Sequence, residues 1–392
     1  MFVNKILQRF YAVNETEIDP NLIKGCLFGG AVGDALGYAV EFLREDEIFA
    51  KYGPDGITEY QYHEDTGKAL ISDDTQMSLF TANGLLVADT KGKISGIQVW
   101  PRSYVARAYQ DWLRTQELSF AEFQTARCNG VQSISWLSDV KELYSRRSPG
   151  NTCLSALSIR RNDDFFAEDY TKSAINNSRG CGAVMRIAPL GLMYHKMNMR
   201  RLDTEGAQIA AITHGHSIGY MPAAVLTHII NRIVFPKEPL TLKEIILEAR
   251  NKAVEIFEGD EHLEELTDII DLAIDLAENE KKDLDNIHRL GEGWVAEETL
   301  AIAIYCVLRH QDDFSAGIIA AVNHNGDSDS TGAITGNILG ALLGYDAIEE
   351  KWKKNLELSD VILELADDMC KWQQMEEQSK CNDPEWMEKY LK

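Results

Sequence analysis

Two short acidic clusters hold most of the side chains that could do chemistry. Ser72, Asp73, Asp74 and Thr75 stand in ISDDTQMSLF, and Asp327, Ser328, Asp329, Ser330 and Thr331 stand in GDSDST. Each precedes an apolar run of helical period. Either cluster alone reads as a helix cap, because Ser and Asp accept bonds from the free N–H groups of a first turn and carboxylates suit the positive end of the dipole. Together they exceed what capping needs. One acid suffices to cap, and these two helix starts carry four, with no Lys or Arg inside either cluster. Unpaired buried carboxylates are very costly, and a divalent cation would remove that cost. Donors that are all hard oxygens favour Mg²⁺, Mn²⁺ or Ca²⁺ over zinc, and EF-hand spacing is absent, which sets a calcium sensor aside. With Glu41 added, four or five carboxylates suit two metals better than one.

The elements that must carry these clusters are marked by glycine. Gly25, Gly29, Gly33 and Gly37 recur every fourth residue in GCLFGGAVGDALGYAVEF, and Gly332, Gly336, Gly340 and Gly344 do the same after the second cluster. Residues four apart share a helix face. Each glycine costs about 1 kcal/mol against alanine in a helix, so something must offset the stripes. Bare stripes let another backbone come close: the two helices either pack on each other or each meets a bulky partner. Asp34 and Glu41, seven apart, are expected on nearly the same side of the first helix.

Helical periodicity dominates the rest of the chain. Helices are expected near 21–42, 72–89, 98–116, 131–145, 182–195, 204–234 with a break, 241–257, 262–278, 294–309, 313–322, 329–343 and 358–378. In 262–278 the apolar set Leu263, Leu266, Ile269, Ile270, Ala273, Ile274 and Ala277 follows the i, i+3, i+4 rule, with acids on the other face. Gly56 to His63 is the one weak strand candidate. No Pro/Ser linker or low-complexity tract divides the chain, so the expectation is an all-α fold with one domain over 21–392 and an N-terminal arm over 1–20.

Composition excludes several classes. A net charge of −23 over 392 residues repels nucleic acid and anionic membrane. The seven cysteines are scattered, odd in number and never spaced CxxC, which suits a reducing cytosol and argues against disulfides or zinc. No apolar run is long enough to span a bilayer. Lys5, Gln8 and Arg9 interrupt any signal-peptide core, so a cytoplasmic location is expected.

Six motifs then occur in a telling order: GDALG with Glu41 downstream, Ser-Asp-Asp-Thr, GCGAVMRIAPLGL, THGHSIGYMPA, GEGWVAEETLAIA and GDSDSTGAI. From about residue 22 to residue 345 the sequence resembles the ADP-ribosylglycohydrolases. The resemblance implies a compact, multi-helix orthogonal bundle around a binuclear centre of two Mg²⁺ (Mn²⁺ as the alternative). It implies Ser72, Asp73, Asp74, Asp327, Asp329 and Ser330 as metal ligands, with Glu41, Asp73 and Asp74 catalytic. It also implies cleavage of the glycosidic bond joining ADP-ribose to a protein side chain, arginine-linked by preference, through an oxocarbenium-like state.

Other residues carry open alternatives. The amides of Gly180, Cys181 and Gly182, expected to open a helix, are candidates for the pyrophosphate; Cys181 stands where many family members have Asn and has no activating base nearby. Arg186 either touches phosphate or sits in a buried ion pair. Of His214 and His216, in a turn between helices, His216 is the candidate to face substrate and the other to cap or fill the core. Trp294 either stacks on adenine or is core. Two further functions fit: an immunity protein that binds an ADP-ribosyltransferase toxin, and a hydrolase of a small ADP-ribose conjugate. The arm's stripe of Phe2, Val3, Ile6, Leu7 and Phe10 would either dock on its own domain or meet the toxin.

Overall fold

The computed structural model describes residues 18–97, 99–162, 167–194, 196–377 and 383–391. The arm's apolar stripe lies outside them. The helices of two turns or more are α1 Pro20–Tyr38, α2 Glu45–Tyr52, α3 Asp73–Ser95, α4 Pro101–Glu117, α5 Phe120–Cys128, α6 Asn151–Ile159, α7 Met199–Ala211, α8 Ser217–Val234, α9 Leu242–Ile256, α10 Leu263–Ala277, α11 Ala296–Arg309, α12 Phe314–Val322, α13 Ser328–Leu343 and α14 Ser359–Glu377. Among the described residues there is no strand; the 56–63 candidate forms only the isolated bridge Tyr62 to Ala69. Among the described residues no helix is long and apolar enough to cross a membrane.

The centre is made by α1 and α13. Asp19 caps α1 by accepting from Asn21 N at 3.0 Å, and Pro20 supplies the first-turn φ. Almost every residue of α1 from Leu22 to Gly37 and every residue of α13 is buried, as expected of helices apolar on all sides. The stripes face each other. A Cβ built on Gly25, Gly29, Gly33 or Gly37 would fall within 3.0 Å of backbone at Gly340, Gly336, Gly332 and Ser328 respectively. The partner number falls as the other rises, so the helices run antiparallel. Gly344 ends this seam: it closes α13 at φ 85°, its carbonyl carbon 2.8 Å from a Cβ on Gly25, and a Cβ of its own would meet Asn21.

Several sequence expectations are corrected. Residues 131–145 form two 3₁₀ turns, Trp136–Asp139 and Lys141–Leu143, because polar side chains capture the backbone. Asp111 Oδ2 accepts from Ile134 N at 2.9 Å and Ser135 N at 3.1 Å, and Ser135 Oγ from Leu137 N at 3.3 Å. Among the described residues, 182–194 form only part of the 3₁₀ turn Cys181–Ala183 and the single helical turn Ala188–Gly191, where the expected helix is 182–195, since Gly182, Pro189 and Gly191 interrupt any longer helix. Glu41 lies past the end of α1, in a turn closed by Val40 N to Gly37 O at 2.8 Å and Leu43 N to Val40 O at 2.8 Å, so it does not share a helix face with Asp34.

Candidate metal centre

Helix α1 brings the two acidic clusters together. Gly37 sits against the backbone of Ser328 and Asp329, which pins the start of α13 beside the turn that carries Glu41. One turn earlier, Asp34 reaches the start of α3. Its carboxylate accepts from Ser72 N at 3.0 and 3.1 Å, from Thr75 N at 3.1 Å and from Thr75 Oγ1. Burial pushes Asp34 up to about 6 even against these bonds. Asp34 is therefore a positioning residue, a role signalled in the chain only by its place in the glycine stripe.

Both clusters cap helices and still leave oxygens over. Ser72 Oγ accepts from Asp74 N at 3.2 Å, Asp327 Oδ1 from Ser330 N at 3.3 Å, and Asp329 Oδ1 from the same N–H at 2.9 Å. Asp73 Oδ2 accepts from Gly150 N at 3.4 Å. One oxygen from each of Glu41, Asp327 and Asp329 lies within 4.8 Å of the others. Glu41, Ser72, Asp73, Asp74, Asp327, Asp329 and Ser330 are all buried, and Glu41 Oε2 and Asp74 Oδ2 have no hydrogen-bond partner.

The electrostatics follow from that packing. Burial first, then Asp327, Asp73 and Asp34, push the Glu41 carboxyl up to about 9. Asp73, Asp74 and Asp329 are raised for the same reasons, burial ahead of neighbouring carboxylates. Orphaned oxygens in a buried, mutually repelling set of hard donors fit a divalent cation of the Mg²⁺ or Mn²⁺ type.

A second wall comes from the segment before α11. Gly326, at φ 117°, lets Asp327 N donate to Glu292 O at 2.8 Å, and Gly293, at φ 80°, lies against Thr331 and Asp327. His324, which sequence reasoning passed over, braces this wall: its Nε2 is 3.1 Å from Thr331 Oγ1. Cys181 joins the walls, its N donating to Trp294 O at 3.2 Å and its Sγ to Asp327 Oδ2 at 2.5 Å. Burial and then Asp327 push its thiol up, so it is no thiolate nucleophile.

The remaining candidates divide. Gly180 and Gly182 pack over His214, which would lie 3.2 Å from a Cβ on Gly182. His214 is buried, bonded to Thr213 Oγ1 at 2.8 Å, and burial followed by Arg186 pushes it down to about 3, so it is a neutral core group. His216 caps α8 through Ile218 N at 3.3 Å and lies 4.3 Å, ring to ring, from His262; none of these contacts joins it to the acidic cluster. Arg186 is held neither by phosphate-facing exposure nor by a carboxylate, but by Thr213 Oγ1 at 2.6 Å, Cys153 Sγ at 3.2 Å and the Tyr109 ring at 4.4 Å. Trp294 is 41 % exposed, so it is not core.

Comparison with known proteins matches residues 16–380 to a family described as ADP-ribosylglycohydrolase. The chain is 26 % identical over 348 residues to the ADP-ribosylarginine hydrolase Tri1 of Serratia proteamaculans, covering 88 % of this chain and 78 % of that one. It is 22 % identical over 347 residues to the ADP-ribosyl-[dinitrogen reductase] glycohydrolase of Rhodospirillum rubrum, covering 85 % and 90 %. A solved structure titled ADP-ribosylglycohydrolase-related protein complex superposes with a TM-score of 0.62 at 23 % identity, covering 90 % of this chain and 98 % of that one, and shares the fold.

Proposed function

The chain belongs to the ADP-ribosylglycohydrolase family, and on that premise we propose that it removes ADP-ribose from arginine side chains of modified proteins in a reaction that needs divalent cations. The observation that carries this reading is the buried convergence of Glu41, Asp73, Asp74, Asp327 and Asp329 with two partnerless oxygens, Glu41 Oε2 and Asp74 Oδ2. Ser72, Asp73, Asp74, Asp327, Asp329 and Ser330 would hold two Mg²⁺ or Mn²⁺ ions. Cations bound there would supply a polarised water and an anchor for the ribose hydroxyls.

The protein's own groups account for the remaining steps. Glu41 Oε2 is free to take the proton of a water that attacks the anomeric carbon as the carbon–nitrogen bond breaks. Glu41 then passes that proton to the departing guanidine, which leaves as the arginine guanidinium. Asp34 keeps the Ser72–Asp74 turn in register. Of the three amides on the opposite wall, Gly180 N donates to Ser178 Oγ at 3.3 Å and Cys181 N to Trp294 O at 3.2 Å, which leaves the Gly182 amide as the candidate for the pyrophosphate. The arginine linkage draws support from the likeness to the Serratia hydrolase.

Release of ADP-ribose from arginine-modified protein tests this. Wild type with Mg²⁺ or Mn²⁺ should release it, while excess EDTA or Asp73→Asn should stop release with the helical spectrum intact. Full activity of Asp73→Asn in EDTA would overturn the metal reading, and no release from any ADP-ribosylated protein would overturn the function.

A further inference from the structure

Two large aromatic side chains stand in the open at the edge of this buried acidic site. Phe42 is 70 % exposed and Trp294 is 41 % exposed. They come from opposite walls: Phe42 follows Glu41 in the turn after α1, and Trp294 follows Gly293, which lies against Asp327. The backbone of Trp294 is tied to Cys181, whose thiol touches Asp327. The rings are stacked, with centroids 6.4 Å apart and planes 25° from parallel. That spacing is near the far end of direct offset stacking, about 4.5–7 Å. It is also within an ångström of the roughly 7 Å, twice the carbon contact distance, that two rings need to hold a flat group between them.

Resting on the function proposed above, we propose that Phe42 and Trp294 form a clamp for the guanidinium of the ADP-ribosylated arginine, and that this clamp sets the preference for arginine over hydroxyl linkages. A guanidinium is flat, cationic and weakly hydrated, and it stacks on aromatic faces. Position selects it over adenine, the other flat group of the substrate. The guanidinium is bonded to the carbon under attack, and Phe42 adjoins Glu41, whereas adenine lies the full length of the pyrophosphate away. A seryl oxygen would gain nothing from the rings.

The test compares peptides ADP-ribosylated on arginine or on serine, using wild type, Phe42→Ala, Trp294→Ala and the ring-retaining Trp294→Phe. A cation–ring contact made in the ground state raises KM when removed and leaves kcat nearly unchanged. We expect Trp294→Ala to raise KM for the arginine peptide by about 3- to 30-fold, with Phe42→Ala in the same direction. Trp294→Phe should be near wild type, and affinity for free ADP-ribose, measured by calorimetry, should not change. Equal losses on arginine and serine peptides, or no loss on arginine, would overturn the clamp. A parallel loss of free ADP-ribose affinity would also overturn it, and would give the rings to adenine. If wild type cleaves neither linkage, the proposed function falls alone. The arginine peptide is then a stable ligand, and its calorimetric affinity in wild type against Trp294→Ala decides the clamp by the same criterion.

Discussion

Replacing Gly336 by Ala or Leu tests whether the α1–α13 seam sets the metal loop. A Cβ on Gly336 would lie within 3.0 Å of the Gly29 backbone, where non-bonded atoms settle near 3.5 Å. The helices must therefore part by more than about 1 Å. Overpacking of this kind costs roughly 1–3 kcal/mol, and Ala returns up to about 1 kcal/mol through helix propensity. Gly336→Ala should thus lose up to about 2 kcal/mol, and Gly336→Leu more. With about 2.1 cal/mol/K of unfolding entropy per residue, a chain this long moves only on the order of 1 °C per kcal/mol, so calorimetry is the suitable assay. Gly150→Ala is the control, at φ −58° with nothing within 4 Å; Gly259 is open too, but at φ 88° any side chain would be strained there. Position along the seam separates stability from function. Gly332 lies three residues from Asp329, about 5 Å along the axis, and Gly340 eleven residues, about 17 Å. Both Ala variants should destabilise alike, and only Gly332→Ala should weaken Mn²⁺ binding. A wild-type melting point for Gly336→Leu would refute the tight seam, and equal metal affinities for Gly332→Ala and Gly340→Ala would refute its control of the loop.

Two further outcomes follow from the carboxylates. Without a cation, the folded-state values of Glu41, Asp73, Asp74 and Asp329 are raised, Glu41 to about 9. Their contribution to stability is therefore complete below about pH 4 and is lost as pH rises through the raised values, at up to about 1.4 kcal/mol per pH unit for each group. Urea melts should show chelated protein weakening between pH 6 and 9 while Mg²⁺-loaded protein holds, and a gap independent of pH would contradict the clustered site. Asp34→Asn should cost about 1–3 kcal/mol, because an amide presents one acceptor and an unwanted donor to Ser72 N, Thr75 N and Thr75 Oγ1. It should also slow ADP-ribose release by shifting Asp73 and Asp74; wild-type melting and turnover would remove Asp34 from its positioning role.

What could be read from the sequence depended on how local each signal was. Residue spacing alone exposed the glycine stripes and the surplus of acids at two helix starts, because both are patterns of near neighbours along the chain. It overstated helix at 131–145 and 182–195, where the apolar period is real but Asp111, from a distant helix, takes the N–H groups of one segment, and Pro189 with its flanking glycines stops the other. The short helices at 45–52, 120–128 and 151–159 were missed, since each buries only one to three side chains and has little period to show. Asp34 was singled out beside Glu41, but its bonds to Ser72 and Thr75 escaped, as did His324, because both roles are set by elements that only the folded chain brings near.

The same distinction explains why Glu41 fits the site better than its predicted helical position would allow. On a continued α1, a residue seven after Asp34 would lie on Asp34's side, which faces the start of α3, and not beside Asp327 and Asp329. Ending the helix at Tyr38 frees the chain to turn, and the close contact of Gly37 with Ser328 and Asp329 fixes where that turn sits. Glu41 therefore meets Asp327 and Asp329 because α1 stops, while Asp34 reaches Ser72 and Thr75 because α1 has not yet stopped. One buried helix thus places both acidic clusters, with its last turn as the joint between them. A variant that favours a longer helix, Val40→Ala, should accordingly leave α1 folded but draw Glu41 away from Asp327 and weaken Mn²⁺ binding. Unchanged metal affinity, with a lengthened helix confirmed by NMR, would show that the placement of Glu41 does not depend on where α1 ends.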